Sequence, residues 1–107
     1  MITAQAPFFS AHRARIAEQA LHSRLPAMSG ETGFAAVGGL LNYGPSIDDT
    51  WRRAASYVDK ILKGTRPDEI PVEQPMRFDF VVNVRTAQPL GLTIPPHVLL
   101  QATEIIQ

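Results

Sequence analysis

One stretch, residues 38–62, restricts the fold of this chain more than any other. Glycines stand at residues 38 and 39, and the short apolar run at residues 39–43 is typical of a buried strand. Tyr43, Gly44 and Pro45 then predict a turn that leads to a helix starting at Ile47. The alternation of short strands with helices along the chain predicts an α/β fold with a largely parallel sheet.

The helix after this turn is amphipathic and has capping residues at both ends. Its apolar residues recur at helical spacing and comprise Ile47, Trp51, Ala54, Ala55, Val58, Ile61 and Leu62. Ser46 is a good N-cap, and Asp49 is expected to act as the reciprocal capping residue. Gly64 can adopt the left-handed conformation that ends a helix. Such a helix start can bind an anion, although a purely structural capped helix is the more frequent case.

Composition excludes several classes of function. Ten basic and ten acidic residues give zero net charge, so nothing in the charge favours nucleic acid or an anionic membrane as a partner. The absence of cysteine excludes disulfides and thiolate chemistry. No apolar run approaches the roughly 20 residues that cross a bilayer. The first nine residues lack the basic region of a signal peptide, so we expect the chain as written to be cytoplasmic.

The segments before the glycines predict further alternation of strands and helices. Residues 2–9 favour a weak strand that runs into a loop at the proline, and Ser10 is expected to cap a helix that reaches residue 22. A short strand is predicted at residues 25–29, followed by one or two helical turns at residues 34–37.

The segments after the long helix are a linker, a strand and a terminal helix. Three prolines in residues 65–75 predict a linker without regular structure. Alternation over residues 78–84 predicts a strand with one buried face, and residues 86–90 favour a short helix. A final amphipathic helix is expected over residues 98–106, with Pro96 in its first turn.

The sequence offers no catalytic or metal-binding constellation. His12 and His22 lie on one predicted helix about 15 Å apart, too far to share a metal ion. No serine lies in a nucleophile elbow, and the glycines lack the spacing of phosphate-binding loops. We therefore expect no enzyme, no metal and no cofactor.

Residues suited to non-covalent binding follow two predicted strands. Ligands collect at the carboxyl ends of strands in open α/β sheets. The candidates for contact with a ligand are Asn42, Tyr43, Gly44 and Ser46, and more weakly Ser29 after the preceding strand. Trp51 is expected in the core, because it lies on the apolar face of the helix.

The motifs GGL, YGP, KILKG, VEQP and IPP, in this order, cover residues 38–96. They resemble the C-terminal end of the substrate-binding components of bacterial ABC importers, in the group related to tryptophan and tyrosine binding proteins. The resemblance implies part of a periplasmic-binding-protein-like, Rossmann-like fold. It also implies two lobes that close on an amino acid or similar small ligand and deliver it to a membrane permease. Asn42, Tyr43 and Gly44 would lie near the hinge and cleft, and Ser29 at the cleft mouth.

The resemblance also implies that the chain is incomplete. Members of this family are about three times longer, carry an export signal and act in the periplasm. Residues 1–44 would belong to one lobe, 45–64 to the helix after the hinge crossover, 65–76 to a linker and 77–107 to the returning strand and terminal helix. Because such a tail would leave apolar surface uncovered, we expect a homo-oligomer. The alternative is an oligomerising interaction module that keeps the fold without binding a ligand.

Overall fold

The computed structural model describes residues 1–107, which form two compact units. The first unit combines Met1–Gly44 with Asp79–Gln107, and the second unit is the segment Pro45–Phe78 between them. No helix in either unit has the length and apolar character needed to span a membrane.

Strands and helices alternate along most of the chain. In order they are β1 (Ile2–Thr3), α1 (Pro7–Ala11), α2 (Arg13–His22), β2 (Met28–Ser29), β3 (Leu41–Pro45), α3 (Ile47–Leu62), β4 (Phe78–Asn83), α4 (Val84–Ala87), α5 (Pro96–Gln101) and β5 (Glu104–Ile106). A single 3-10 turn, Pro67–Glu69, interrupts the linker after α3.

The strands form one sheet in the order β1-β2-β3-β4-β5. β1 pairs with β2, β2 with β3, and β4 with β5, each in parallel. The predicted α/β fold with a mostly parallel sheet and flanking helices is therefore confirmed.

The two central strands, β3 and β4, differ from these pairs in their relative direction. The Asn83 N–H donates to the Leu40 carbonyl at 2.8 Å, while the ring of Tyr43 lies against that of Phe80. Residue numbers thus rise along β3 as they fall along β4, which makes this pair antiparallel. The amino end of β4 consequently lies at the same end of the sheet as the carboxyl ends of the first three strands.

The core of the first unit lies between α2 and the sheet. Ala17 and Ala20 of α2 pack with Ala27 and with Phe34, which is fully buried. The small alanines let α2 approach the strands closely, so that Phe34 fills the space beside them.

The amino-terminal helix begins earlier than the sequence predicts. Pro7 starts α1 instead of ending in a loop, because its fixed φ suits the first helical turn. Ser10 lies inside α1 and its N–H donates to the Ala6 carbonyl, so Ser10 caps nothing. The prediction of a single helix capped by Ser10 is wrong. His12 separates α1 from α2.

The central strand is shifted by two residues from its predicted position. It starts at Leu41, and Tyr43, Gly44 and Pro45 continue it instead of forming a turn. Gly39 lies outside the strand, directly against Phe34, where a Cβ atom would stand 2.2 Å from the ring. The close contact of Phe34 with this backbone therefore sets where the strand begins. The expected helical turns at residues 34–37 are hydrogen-bonded turns without a regular helix.

The carboxyl terminus differs most from the prediction. The terminal helix ends at Gln101, and residues expected on its apolar face, Ile105 and Ile106, form β5. The reason is a tertiary contact: the Thr103 N–H donates to the Phe80 carbonyl at 2.8 Å, and the Thr103 hydroxyl accepts from the Phe80 N–H at 2.7 Å. These bonds join the chain to the edge of β4, and parallel pairing replaces helix.

The long helix of the second unit confirms its predicted bounds, its N-cap at Ser46 and its glycine end, whereas the prediction that Trp51 lies in the core is wrong, because its side chain is 71% exposed. The Ser46 hydroxyl accepts from the Asp49 N–H at 3.3 Å, and Gly64 has a φ of 104° just after the last turn. The reciprocal capping role of Asp49 is wrong. The Ser46 N–H donates instead to the Arg77 carbonyl, and the Asp49 carboxylate pairs with Arg53 at 3.1 Å.

Candidate functional site

The predicted binding residues of the first unit lie on β2 and β3: Ser29 ends β2, and Asn42, Tyr43 and Gly44 are the second, third and fourth of the five residues of β3. These strands are parallel neighbours, with Ser29 paired to Asn42 in register. The two side chains therefore share one face of the sheet, and the Tyr43 side chain lies on the opposite face because side chains alternate along a strand.

Ser29 is fully buried and shapes the turn that follows β2. Its hydroxyl accepts a hydrogen bond from the Glu31 N–H at 3.0 Å. The Glu31 carboxylate in turn accepts from the Ala6 N–H at 3.0 Å. Ser29 thus holds Glu31 where its side chain joins the turn after β2 to the start of α1, and the Ser29 oxygen is engaged inside the protein.

Asn42 is also buried, with 2% of its surface exposed, and it fixes the segment that crosses the sheet face. Its Oδ1 accepts from the Ala35 N–H at 3.1 Å. Asn83 of β4 binds the carbonyl of the same residue, since its Nδ2 donates to the Ala35 oxygen at 2.8 Å. Two amide side chains from neighbouring strands therefore hold both polar groups of Ala35.

Sequence reasoning did not identify Asn83 as a functional residue, although it lies in the strand predicted over residues 78–84. Asn83 is 5% exposed, and its Oδ1 accepts from the Thr86 N–H at 3.1 Å, which caps α4. Thr86 in turn donates its hydroxyl to the Gly38 carbonyl. The signal available in the sequence was an asparagine at the end of a strand, three residues before a residue of a short helix.

A cavity of about 320 Å³ lies beside this asparagine pair within the first unit. Its polar lining comprises Asn42, Thr32, Thr103, Asp79 and Glu104. An amide, two hydroxyls and two carboxylates suit a small ligand that donates hydrogen bonds. A larger cavity of about 490 Å³ lies against α2 and is bordered by apolar residues together with His12, Arg15, Gln19 and Ser23, but it includes none of the predicted binding residues.

Tyr43 presents an aromatic surface in the middle of β3. Half of its surface is exposed, and its ring meets Phe80 edge to face at a centroid distance of 5.9 Å. This arrangement is favourable for aromatic pairs and holds the Tyr43 ring in place. Its exposed part is suited to stack on a flat apolar group.

Gly44 allows the ends of β2 and β3 to come together. A Cβ atom at this position would lie 2.5 Å from the Gly30 carbonyl oxygen, so only glycine fits without a shift of backbone. The same Gly30 oxygen accepts from the Gln5 side chain at 2.8 Å. Gly44 therefore allows the backbone of β3 to pack closely against the backbone at Gly30, which follows β2.

Ser46 lies in the second unit, where its hydroxyl caps α3. The same unit holds a polar cluster that sequence reasoning did not identify. Arg53 pairs with Asp49 at 3.1 Å and with Glu73 at 2.7 Å. Partial removal from water, together with a hydrogen bond to Glu73 and its negative charge, raises the pKa of Tyr57 above its ordinary value. This cluster fastens the linker to α3.

No group of three or more histidine, cysteine, aspartate or glutamate side chains is placed to hold a metal ion. His12 instead contacts the ring of Phe8 at a centroid distance of 4.8 Å.

Comparison with protein families gives one match over almost the whole chain. The family described as ABC transporter substrate binding protein matches residues 1–106. No curated protein matches the chain significantly.

Solved structures share the fold. A conserved domain protein from Vibrio cholerae superposes with a TM-score of 0.88 at 25% identity, covering 97% of this chain and 35% of the other. An ABC domain from Streptococcus pneumonia in complex with L-Trp superposes with a TM-score of 0.87 at 25% identity, covering 98% and 36%. The ligand-free, open form of an adhesive substrate binding protein from Clostridium difficile matches with a TM-score of 0.66 at 18% identity, covering 99% and 35%. The chain thus spans about a third of the length of these proteins.

Proposed function

Because the chain belongs to the family of ABC transporter substrate-binding proteins, we propose that it is part of the solute-binding component of a bacterial ABC importer. This is a family of transport proteins and not a class of enzymes. The ligand is a small molecule, such as an amino acid, held without covalent chemistry. The full-length protein would capture it by lobe closure in the periplasm and pass it to a membrane permease.

The observation that carries the proposal is the half-exposed ring of Tyr43, two residues before the carboxyl end of β3. Ligands of open α/β sheets bind at such ends. A structural neighbour with 25% identity was solved in complex with L-Trp, a ligand with a flat aromatic side chain. We assign Tyr43 the contact with the apolar part of the ligand.

The other predicted binding residues support this position. Ser29 and Asn42 hold the turns and the crossing segment around the strand ends through the hydrogen bonds described above. Gly44 permits the close approach of β2 and β3 beside the ring. Ser46 caps the next helix and so determines how the chain leaves the strand. These four residues hold the backbone around Tyr43 in place, and the ring of Tyr43 is the surface that contacts the ligand.

Calorimetric titration of the chain with L-tryptophan tests the proposal. We expect saturable heat, and we expect Tyr43→Ala to weaken binding by about tenfold, the loss of one aromatic contact. Tyr57→Ala is the matched control, because Tyr57 is the other tyrosine and lies in the second unit. Absence of heat with aromatic and branched amino acids, or an equal loss in both variants, would contradict the proposal.

A second candidate is an oligomerising interaction module that retains the fold without ligand binding. Two observations favour it. The hydroxyl of Ser29 and the amide oxygen of Asn42 are engaged in internal hydrogen bonds. In addition, α3 contains no buried residue although it is strongly amphipathic. On this account the chain contributes a surface for association. The two candidate functions are distinguished by what the chain binds, L-tryptophan in the first case and a second copy of the chain in the second.

A further inference from the structure

Phe80 of β4 lies directly across the sheet from Tyr43 of β3, the residue to which we assign the contact with the ligand. The Asn83 N–H donates to the Leu40 carbonyl, and counting equally along both strands from this bond places Phe80 opposite Tyr43. The two rings meet edge to face, with an angle of 82° between their planes and 5.9 Å between their centroids. Phe80 is thus the aromatic partner of Tyr43 on the neighbouring strand.

The backbone of Phe80 is directed away from Tyr43 and toward Thr103, which precedes β5. The Phe80 N–H donates to the Thr103 hydroxyl at 2.7 Å, and the Phe80 carbonyl accepts from the Thr103 N–H at 2.8 Å and from the Thr103 hydroxyl at 2.9 Å. Tyr43 and Phe80 therefore form a non-hydrogen-bonded pair, the kind in which facing side chains approach most closely. Because Thr103 holds both polar groups of Phe80, it fixes the direction in which the Phe80 ring leaves the strand.

We propose that Phe80 is a specificity-determining residue of the ligand site. By setting the orientation of the Tyr43 ring, it makes the site prefer an amino acid with a flat aromatic side chain over one with a branched aliphatic side chain. Thr103 is a positioning residue that acts through Phe80. The inference rests on the proposed solute-binding function and names the class of ligand for it.

The preference follows from how the two classes of side chain contact an aromatic ring. Stacking between aromatic rings depends on their relative orientation, because each ring has a negative face and a positive edge. Contact of an aliphatic side chain with the same ring depends mainly on the area removed from water, which has no directional requirement. A Tyr43 ring whose angle is set in advance by Phe80 therefore raises the affinity for an aromatic ligand more than the affinity for an aliphatic one.

Calorimetric titration of the chain with L-tryptophan and with L-leucine measures the preference as the ratio of the two affinities. We expect the wild-type chain to bind L-tryptophan more tightly. Phe80→Leu should weaken the binding of L-tryptophan by about threefold to tenfold and that of L-leucine by less than about twofold, so that the ratio falls. Phe80→Tyr keeps an aromatic ring at this position and should preserve the ratio.

Phe34→Leu is the matched control, because it makes the same change in the core of the same unit, where Phe34 packs against α2. It should lower stability and leave the ratio of the two affinities unchanged. Thr103→Val removes the hydroxyl that binds the Phe80 backbone but retains the Phe80 ring. This variant should lower the ratio by about twofold, and it tests the orientation of the ring even if Phe80→Leu folds poorly.

A double-mutant cycle tests whether Phe80 acts through Tyr43. Tyr43→Ala removes the contact with the ligand itself, so the addition of Phe80→Leu should cause no further loss of affinity for L-tryptophan. A further loss as large as in Phe80→Leu alone, or an unchanged ratio in both Phe80→Leu and Thr103→Val, would overturn the assignment and leave the solute-binding function intact. A wild-type chain that gives no heat with either amino acid would contradict that function, and this assignment with it.

Discussion

The helices α2 and α3 are both amphipathic, yet only α2 contributes buried residues to the core. α3 is the longer and the more strongly patterned, but none of its residues is buried. α2 is shorter, and its buried residues are alanines, Ala17 and Ala20, which pack with Ala27 and Phe34. Apolar periodicity thus predicts that a helix forms and which face needs a partner. Whether that partner is present depends on the rest of the fold.

The two helices consequently depend on different forces. α3 relies on local interactions, namely the Ser46 cap and the i,i+4 ion pairs of Asp49 with Arg53 and Asp59 with Lys63. Each of these contributes about 1 kcal/mol or less when exposed to solvent. Packing against the sheet, as for α2, contributes more, because burial removes apolar surface from water.

Phe34→Ala should give the largest effect and the clearest contrast between the two units. Phe34 is 1% exposed, so removal of its ring leaves a cavity and lowers the free energy of unfolding of the first unit by about 3–5 kcal/mol. Urea unfolding followed by circular dichroism measures the change.

Trp51→Ala removes a larger side chain and should change that free energy by less than about 0.5 kcal/mol when the chain is monomeric, because Trp51 is mostly exposed. Equal losses in the two variants would mean that α3 is packed after all, and the contrast between the units would fail.

Gly44→Ala should have an intermediate effect in the first unit. The added Cβ would meet the Gly30 carbonyl oxygen at 2.5 Å, and the backbone must move, at about 1–3 kcal/mol of unfolding free energy. Gly30→Ala is the control, since the closest atom to its Cβ would be in the flexible Gln5 side chain at 3.3 Å. A Gly44→Ala variant as stable as Gly30→Ala would show that the strand ends are not closely packed.

Ser46→Ala should have a smaller effect than Gly44→Ala and tests the local support of α3. Loss of the hydrogen bond to the Asp49 N–H should cost about 1 kcal/mol and reduce helicity measured by circular dichroism. Ser10→Ala serves for comparison, because Ser10 lies within α1 and makes no capping bond. If Ser10→Ala lost more helicity than Ser46→Ala, Ser10 and not Ser46 would be the residue that caps a helix, which would contradict this account.

The predictions that succeeded rest on short-range physics. The bounds of α3, its cap at Ser46 and its end before Gly64 depend on residues within one turn of each other. The family resemblance, identified from motifs near the same residues, is confirmed by the match over residues 1–106. The assignment of lobes and of ligand contacts to Asn42, Tyr43, Gly44, Ser46 and Ser29 stays a prediction.

The predictions that failed involve contacts between distant parts of the chain. Ile105 and Ile106 have the spacing of a helix face, but pairing with β4 makes them a strand. Asn83 is polar in a strand, yet it is buried because Ala35, far away in sequence, offers its carbonyl. Neither partner can be identified from the residues around these positions.

By itself, the sequence determined the N-cap and glycine end of α3, the amphipathic face of that helix and the alternation of strands and helices, because each depends on the spacing of neighbouring residues. Only the tertiary structure decided that Asn42 and Asn83 hold the same residue, that β4 runs against β3, and that α3 has an uncovered face. The physical reason is that hydrogen bonding and burial depend on which distant atoms come within a few ångströms, and local periodicity carries no information about that.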